Sequence, residues 1–141
     1  MNKNNARTNW IGRPFNEEGA RTPVYVQKAI NKAINDTSTN TGLTVTIAFD
    51  YGSRAELVRS VQHALKSNVP VTPHVISSHL YQPDMPPVDL LIRTSGEARI
   101  SNFLLWQIKG AKVYFTEHTW PDFTSTELDA ALSCLLPTCN P

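Results

Sequence analysis

Apolar residues recur every three to four positions between Val26 and Ile34, which is the spacing of an amphipathic helix. Thr22-Pro23 precedes this segment. A hydroxyl residue followed by proline is typical of a helix start, with Thr22 as the cap and Pro23 at the first helical position. The polar run that begins at Asp36 predicts where the helix ends.

Other segments have the two-residue alternation or the short apolar runs of β-strands. Leu43–Phe49 alternates and is rich in β-branched residues, which predicts a strand. Shorter apolar runs predict the end of an earlier strand at Trp10–Gly12, a buried strand at Asp89–Ile92 and a further strand at Val113–Phe115.

Three more helices are predicted, over Ser53–Leu65, Ser101–Ile108 and Thr124–Leu136. The first and the last begin with a hydroxyl residue that is followed three positions later by a glutamate, the spacing of a capping box. The middle helix is expected to end at Gly110. The proline-rich segment Pro70–Pro87 leaves room for one helical turn, around Ser77–Tyr81.

Strands that alternate with helices are typical of α/β proteins. Their order predicts a partial parallel β-sheet with helices on both faces. With 141 residues the chain is long enough for one domain and too short for two. We therefore expect a polar tail over residues 1–9 and a single α/β domain over residues 10–141.

Composition narrows the class of protein. Hydrophobic residues make up 40% of the chain and charged residues 18%, as in globular proteins, and the net charge of +1 gives no general nucleic-acid-binding surface.

The polar N-terminus is unlike a signal peptide, and no apolar run approaches the ~20 residues of a membrane-spanning helix. We expect a cytoplasmic location, with peripheral membrane association as the alternative, and reduced thiols at Cys134 and Cys139.

A polar segment, Arg93–Ser101, lies between two apolar runs. It follows a predicted strand and leads into a predicted helix, and ligands of open parallel sheets bind where strands end and helices begin. The first turn of a helix has free N–H groups and favours anions, so Ser101 is a candidate for anion binding.

The charged residues of this segment add to that prediction. The guanidinium forks of Arg93 and Arg99 match phosphate oxygens two at a time. Gly96 would let the backbone approach a ligand closely, and Glu97 could orient the arginines by ion pairing. This pattern predicts a phosphate or diphosphate site. The alternative is that the arginines are solvated loop charges and that Ser101 only caps a helix.

Three longer stretches resemble the cis-prenyltransferases, the undecaprenyl diphosphate synthase family. They read "NTGLTVTIAFDYGSRAELV" from Asn40, "DLLIRTSGEARISNFLLWQI" from Asp89 and "VYFTEHTWPDF" from Val113. The likeness runs from about Trp10 to Phe123 and is most specific from Asp89 onward. It implies the fold of the C-terminal half of that family.

The resemblance also implies a reaction, in which isopentenyl diphosphate is condensed with an allylic prenyl diphosphate, with Mg²⁺ as cofactor. The positions of Arg93, Arg99 and Ser101 hold the diphosphate of isopentenyl diphosphate in the family, and Glu97 belongs to the same cluster. No residue of this chain is predicted to be catalytic, because none matches the aspartate that handles the departing allylic diphosphate.

Several family features are missing from this sequence. It has no Asp-Gly-Asn-Gly-Arg-Trp loop, which binds the allylic diphosphate and magnesium, and no Arg-x-Gly motif near its end. Lys112 occupies the position of the family's acidic residue that assists magnesium, so no metal ligand is predicted here. We expect that a second protein chain supplies the missing half-site. The alternatives are a non-catalytic diphosphate-binding or stabilising subunit and a decayed fragment.

Overall fold

The computed structural model describes residues 2–136, in which strands and helices alternate as far as α2, and the last two strands follow one another without a helix between them. The chain divides into two compact units, Met1–Pro83 and Asp84–Pro141. The first unit contains β1 (Arg7–Ile11), α1 (Val24–Asp36), β2 (Thr44–Ala48), α2 (Ser53–Lys66) and α3 (Pro73–Ser78). The second contains β3 (Leu90–Arg93), β4 (Lys112–Phe115) and α4 (Ser125–Ser133). Each unit has one parallel strand pair, which confirms the predicted α/β class. The prediction of one domain over residues 10–141 stays a prediction.

In the first unit β1 pairs with β2 in parallel, with Trp10 opposite Ile47. The two strands are joined through α1, the crossover that a parallel pair requires. β1 begins at Arg7, inside the segment predicted as a polar tail, because the Arg7 N–H donates to the Leu43 carbonyl at 2.8 Å. This hydrogen bond joins backbone groups, so the strand can begin among polar side chains.

The start of α1 differs from its prediction. Pro23, with an extended ψ of 148°, occupies the cap position, and the helix begins one residue later at Val24. Thr22 does not cap the helix. Within residues 2–136 its buried Oγ1 has no hydrogen-bond partner. The end of the helix matches the prediction and is fixed by Thr37, whose Oγ1 donates to Ala33 O at 2.7 Å and accepts from Thr8 N in β1 at 2.9 Å.

The capping box predicted at the start of α2 is wrong. Gly52 is the cap residue, in an extended conformation, and Ser53 lies inside the helix. The Glu56 side chain is only 1% exposed, and it accepts hydrogen bonds from Tyr51 OH at 2.6 Å and Tyr81 N at 2.9 Å. The Glu56 carboxylate therefore connects the start of α2 with Tyr81, which lies beyond α3.

The helical turn of the proline-rich segment lies earlier than predicted. α3 spans Pro73–Ser78, because Thr72 caps it by accepting from Val75 N at 3.2 Å and Pro73 suits the first helical position. Across the described residues, no helix is long and apolar enough to cross a membrane.

In the second unit β3 pairs with β4 in parallel, from Leu90 opposite Lys112 to Arg93 opposite Phe115. α4 contacts β3 and begins at the predicted cap, since Thr124 Oγ1 accepts from the Glu127 N–H at 3.4 Å. It ends at Ser133, before the predicted Leu136. Cys134 forms no disulfide with a residue in the range 2–136, and Cys139 lies outside the described residues, so the prediction of reduced thiols stays a prediction.

Residues 101–110 form consecutive turns instead of the predicted helix. The φ angles of Ser101, Asn102 and Leu104 are 55°, 60° and 48°, which is left-handed backbone that a right-handed helix cannot include. Several hydrogen bonds there span three residues, as in Gln107 N to Leu104 O at 3.0 Å. Ser101 therefore does not open a helix.

Candidate anion-binding site

The polar segment leaves β3 at the edge of the sheet where β4 also ends. Three backbone hydrogen bonds hold its first residues against the segment after β4: Thr116 N to Arg93 O at 2.9 Å, Gly96 N to Thr116 O at 3.0 Å and Ser95 N to His118 O at 2.8 Å. The segment thus lies at the carboxyl end of the parallel pair, as the sequence predicts.

Gly96 lies in a tight turn. Ser95 and Gly96 both have left-handed backbone, with φ of 71° and 66°. A Cβ at position 96 would meet Glu117 Oε2, the end of an exposed side chain. The close approach of the Gly96 backbone to a ligand stays a prediction.

A cavity of about 350 Å³ opens beside this turn. Its lining residues come from β3 and the polar segment: Leu91, Ile92, Arg93, Thr94, Arg99, Ile100, Ser101 and Phe103. The structure therefore brings together three of the four predicted site residues, Arg93, Arg99 and Ser101. The prediction that they bind a ligand stays a prediction.

The fourth predicted residue, Glu97, is ion-paired with Arg99. Arg99 Nε lies 2.7 Å from Glu97 Oε2, and Arg99 Nη2 donates to Oε1 at 3.3 Å. The side chains are 70% and 41% exposed, so this two-point pair contributes at most ~1 kcal/mol to stability. Its main effect is to orient the guanidinium, as the sequence predicts for Glu97.

Arg93 is the last residue of β3 and is half-buried. Its Nε is fully buried and has no hydrogen-bond partner in the part of the chain that the structure describes. An unpaired buried donor costs ~1–3 kcal/mol, and more when the group is charged. Arg93 also lines the cavity, so it brings a fixed positive charge to the wall of that cavity.

Ser101 lines the cavity and is exposed. The sequence predicted anion binding at Ser101 because a helix was expected to begin there, and that helix is absent. Because residues 101–110 form turns, Ser101 has no helix N-terminus behind it. Its hydroxyl is the group that remains available to a ligand.

Lys112 lies at the other end of β4 from the cavity. It is exposed and pairs with Leu90, while Arg93 pairs with Phe115, so three residues or ~10 Å of strand separate it from the cavity end. No three His, Cys, Asp or Glu side chains among residues 2–136 form a group that could hold a metal ion. Lys112 itself does not fit the magnesium that the family resemblance implies, because an ammonium group cannot ligate a cation.

A cluster around Glu127 was missed from the sequence, which predicts only a capping role for this residue. Its Oε2 accepts from Tyr114 OH and Thr116 Oγ1, each at 3.3 Å, and lies 3.4 Å from His118 Nδ1. Loss of solvent, followed by the negative charge of Glu127 and the hydrogen bond to it, raises the pKa of the Tyr114 hydroxyl above its ordinary value, which keeps it a donor. The alternation of Tyr114, Thr116 and His118 is the sequence signal that could have placed them on one side of the strand.

An apolar groove of about 520 Å³ also lies in the second unit. It shares Leu91, Ile92 and Phe103 with the cavity and includes Trp120 and Phe123, whose rings stack 5.8 Å apart.

Known proteins are similar to this chain in sequence and in fold. A family model described as putative undecaprenyl diphosphate synthase matches residues 1–134. An isoprenyl transferase of Fusobacterium nucleatum is 45% identical over 133 residues, covering 94% of this chain and 55% of its own length. One from Bacillus cereus is 44% identical over 120 residues, covering 80% and 46%. The chain thus spans about half the length of the curated relatives it matches.

Two solved structures are similar across nearly the whole chain. A probable undecaprenyl diphosphate synthase from Campylobacter jejuni has a TM-score of 0.83 and 27% identity, covering 100% of this chain and 64% of its own. Lavandulyl diphosphate synthase from Lavandula x intermedia, in complex with dimethylallyl diphosphate, has a TM-score of 0.82 and 29% identity, covering 96% and 59%.

We predict that Gly96→Ala lowers the free energy of unfolding by ~1–2 kcal/mol, because its left-handed φ is unfavourable for a residue with a Cβ. Gly110→Ala is the matched control, since Gly110 has a φ of 89° and open space around it. Urea denaturation should show a loss for both variants, and Glu117→Ala should reduce the loss only for Gly96→Ala, because only position 96 faces that carboxylate. An unchanged free energy of unfolding in Gly96→Ala would contradict the left-handed backbone at this position.

Proposed function

This chain belongs to the undecaprenyl diphosphate synthase family, and we propose that it binds isopentenyl diphosphate for condensation with an allylic prenyl diphosphate. The observation that carries the proposal is the convergence of Arg93 and Arg99 on one cavity, where Arg93 has an unpaired buried donor. The names of the relatives support an isoprenoid diphosphate as the class of substrate.

The cavity suits the two ends of such a substrate. Arg93 and the N–H groups of Arg99 that do not donate to Glu97 would bind the diphosphate oxygens, and the Ser101 hydroxyl would donate a further hydrogen bond. The apolar side chains of Leu91, Ile92 and Phe103 line the same cavity and would contact the short hydrocarbon group. A ligand with an anionic head and an apolar tail meets both kinds of surface.

The role of these residues in the reaction would be to position one substrate. In the condensation the allylic carbon–oxygen bond breaks, and the electron pair leaves with the diphosphate. The double bond of isopentenyl diphosphate then attacks the allylic carbon, and a proton is lost to give the cis double bond. Holding the second diphosphate by two arginines fixes the distance and direction of that attack. We assign no acid, base or leaving-group role to a residue of this chain.

The leaving-group half of the site would come from a second protein chain. Departure of a diphosphate is slow unless its developing charge is neutralised, which a bound Mg²⁺ supplies where its ligands exist. Residues 2–136 provide no group of three metal-ligating side chains, and no Asp-Gly-Asn-Gly-Arg-Trp loop occurs in the 141 residues. We therefore assign no magnesium-dependent step to this chain.

The same observations favour one second candidate function. A chain that binds diphosphate without the groups for the chemistry could act as a non-catalytic subunit that stabilises a complete prenyl transferase. The exposed position of Lys112 agrees with that alternative, since an ammonium group cannot ligate magnesium. Activity measured with and without a catalytic partner separates the two functions.

Arg93→Ala should weaken the binding of isopentenyl diphosphate more than tenfold, since losing one two-point, charge-assisted contact costs ~1.5–3 kcal/mol. Isothermal titration calorimetry measures this directly. Lys112→Ala is the control, because it removes a positive charge of the same unit that does not line the cavity. Equal losses in the two variants, or unchanged affinity in Arg93→Ala, would contradict the assignment.

The purified chain alone should form no prenyl product from isopentenyl diphosphate, an allylic diphosphate and Mg²⁺. Product should appear when a chain carrying the allylic half-site is added, and Arg93→Ala should reduce it. Radiolabelled isopentenyl diphosphate followed by thin-layer chromatography provides the measurement. Turnover by the isolated chain would show that residues of this chain handle the leaving group, and that no second chain is needed.

A further inference from the structure

The Glu127 carboxylate, in the first turn of α4, contacts three side chains from one continuous segment. They are Tyr114 in β4 and Thr116 and His118 directly after it, all within 3.4 Å of Glu127 Oε2. Thr116 Oγ1 and His118 Nδ1 also contact each other at 3.1 Å. The Glu127 side chain is 22% exposed, so solvent competes only in part for these contacts.

The backbone of the same segment holds the start of the cavity loop. The carbonyls of Thr116 and His118 accept from the N–H groups of Gly96 and Ser95, and the Thr116 N–H donates to Arg93 O. All three backbone hydrogen bonds of residues 93–96 are therefore made with Thr116 or His118, the residues whose side chains contact Glu127.

The loop needs such support. Ser95 is a non-glycine residue with left-handed backbone, a conformation that persists only when surrounding contacts hold it. A carboxylate oxygen can accept several hydrogen bonds at once, and its negative charge is favoured in the first turn of a helix. Glu127 therefore provides a fixed point on α4 to which the segment after β4 is attached.

We propose that Glu127 is a positioning residue for the diphosphate cavity, acting through Thr116 and His118 on the backbone of Ser95 and Gly96. This role rests on the proposed function of the cavity. Glu127 itself does not line the cavity. Removing its carboxylate frees residues 116–118, loosens the turn at residues 95–96 and lets Arg93 and Arg99 leave their common orientation.

The test uses the full chain and inorganic pyrophosphate as the probe. The Ser95 and Gly96 amides are followed by NMR hydrogen exchange without ligand, and the affinity for pyrophosphate is measured by calorimetry. In Glu127→Ala we expect exchange at both amides to accelerate and the dissociation constant to rise, each by about threefold to tenfold, as for the loss of one or two ordinary hydrogen bonds.

Two further variants make the result specific. Glu127→Gln keeps one oxygen acceptor and should restore most of both properties. Asp129→Asn changes an exposed carboxylate of the same helix and should leave both unchanged. If Glu127 contributed only to overall stability, Glu127→Ala would accelerate hydrogen exchange at amides throughout the second unit and not specifically at residues 95 and 96. If Glu127→Ala does not fold, Thr116→Val removes one donor of the cluster and should accelerate the same two amides.

The possible outcomes separate the two proposals. If wild type binds pyrophosphate and Glu127→Ala binds it equally well, the positioning role is wrong and the function of the cavity stands. Unchanged Ser95 and Gly96 amides in a folded Glu127→Ala, or in Thr116→Val, overturn the positioning role as well. If wild type binds no pyrophosphate, the proposed function fails, and the positioning role fails with it.

Discussion

The parallel pairing of β3 with β4 is the interaction on which the candidate site depends. It brings the carboxyl ends of both strands to one edge, where the residue that ends β3, Arg93, is opposite the residue that ends β4, Phe115. Beyond that point the ladder continues as single backbone hydrogen bonds to Thr116 and His118. A shift in register would move Arg93 out of the cavity and turn neighbouring side chains to the other face of the strand.

The charges at this edge are only partly balanced. Arg99 is paired with Glu97 and stays in solvent contact, whereas Arg93 is half-buried with an unpaired Nε. Such a donor lowers stability, and in native proteins it is explained by strain, by an ordered water or ion, or by a functional role. A dianionic or trianionic head group would neutralise the charge of Arg93 better than a neutral one, which is why a diphosphate is the proposed ligand.

Much of the fold could be predicted because it depends on local patterns. The β-branched alternation around Thr44–Ala48 and the helical spacing of Val26 to Ile34 each appear as the expected element. Other features depend on contacts between distant residues. Glu56, three residues after Ser53, was predicted to form a capping box. Its carboxylate is buried instead, because Tyr51 OH and Tyr81 N donate to it.

The residue types of the candidate site could be predicted from the sequence, but the backbone geometry that places them could not. Arg93, Arg99 and Ser101 do line one cavity. The helix expected at Ser101 is missing because apolar spacing carries no information about φ, and Asn102 and Leu104 adopt left-handed backbone. Glu127 was missed as part of the site's support because its partners belong to a strand that precedes its own helix.

NMR of the arginine side chains measures whether the Arg93 guanidinium binds a diphosphate. Titration of the ¹⁵N-labelled chain with isopentenyl diphosphate should shift the Arg93 Nε–H resonance in a saturable way, because binding polarises that guanidinium. The resonance of Arg59, which is ion-paired with Glu17 at 2.6 Å, should stay unchanged. An unmoved Arg93 resonance at saturating ligand, or equal shifts at both arginines, would show that Arg93 does not bind the diphosphate.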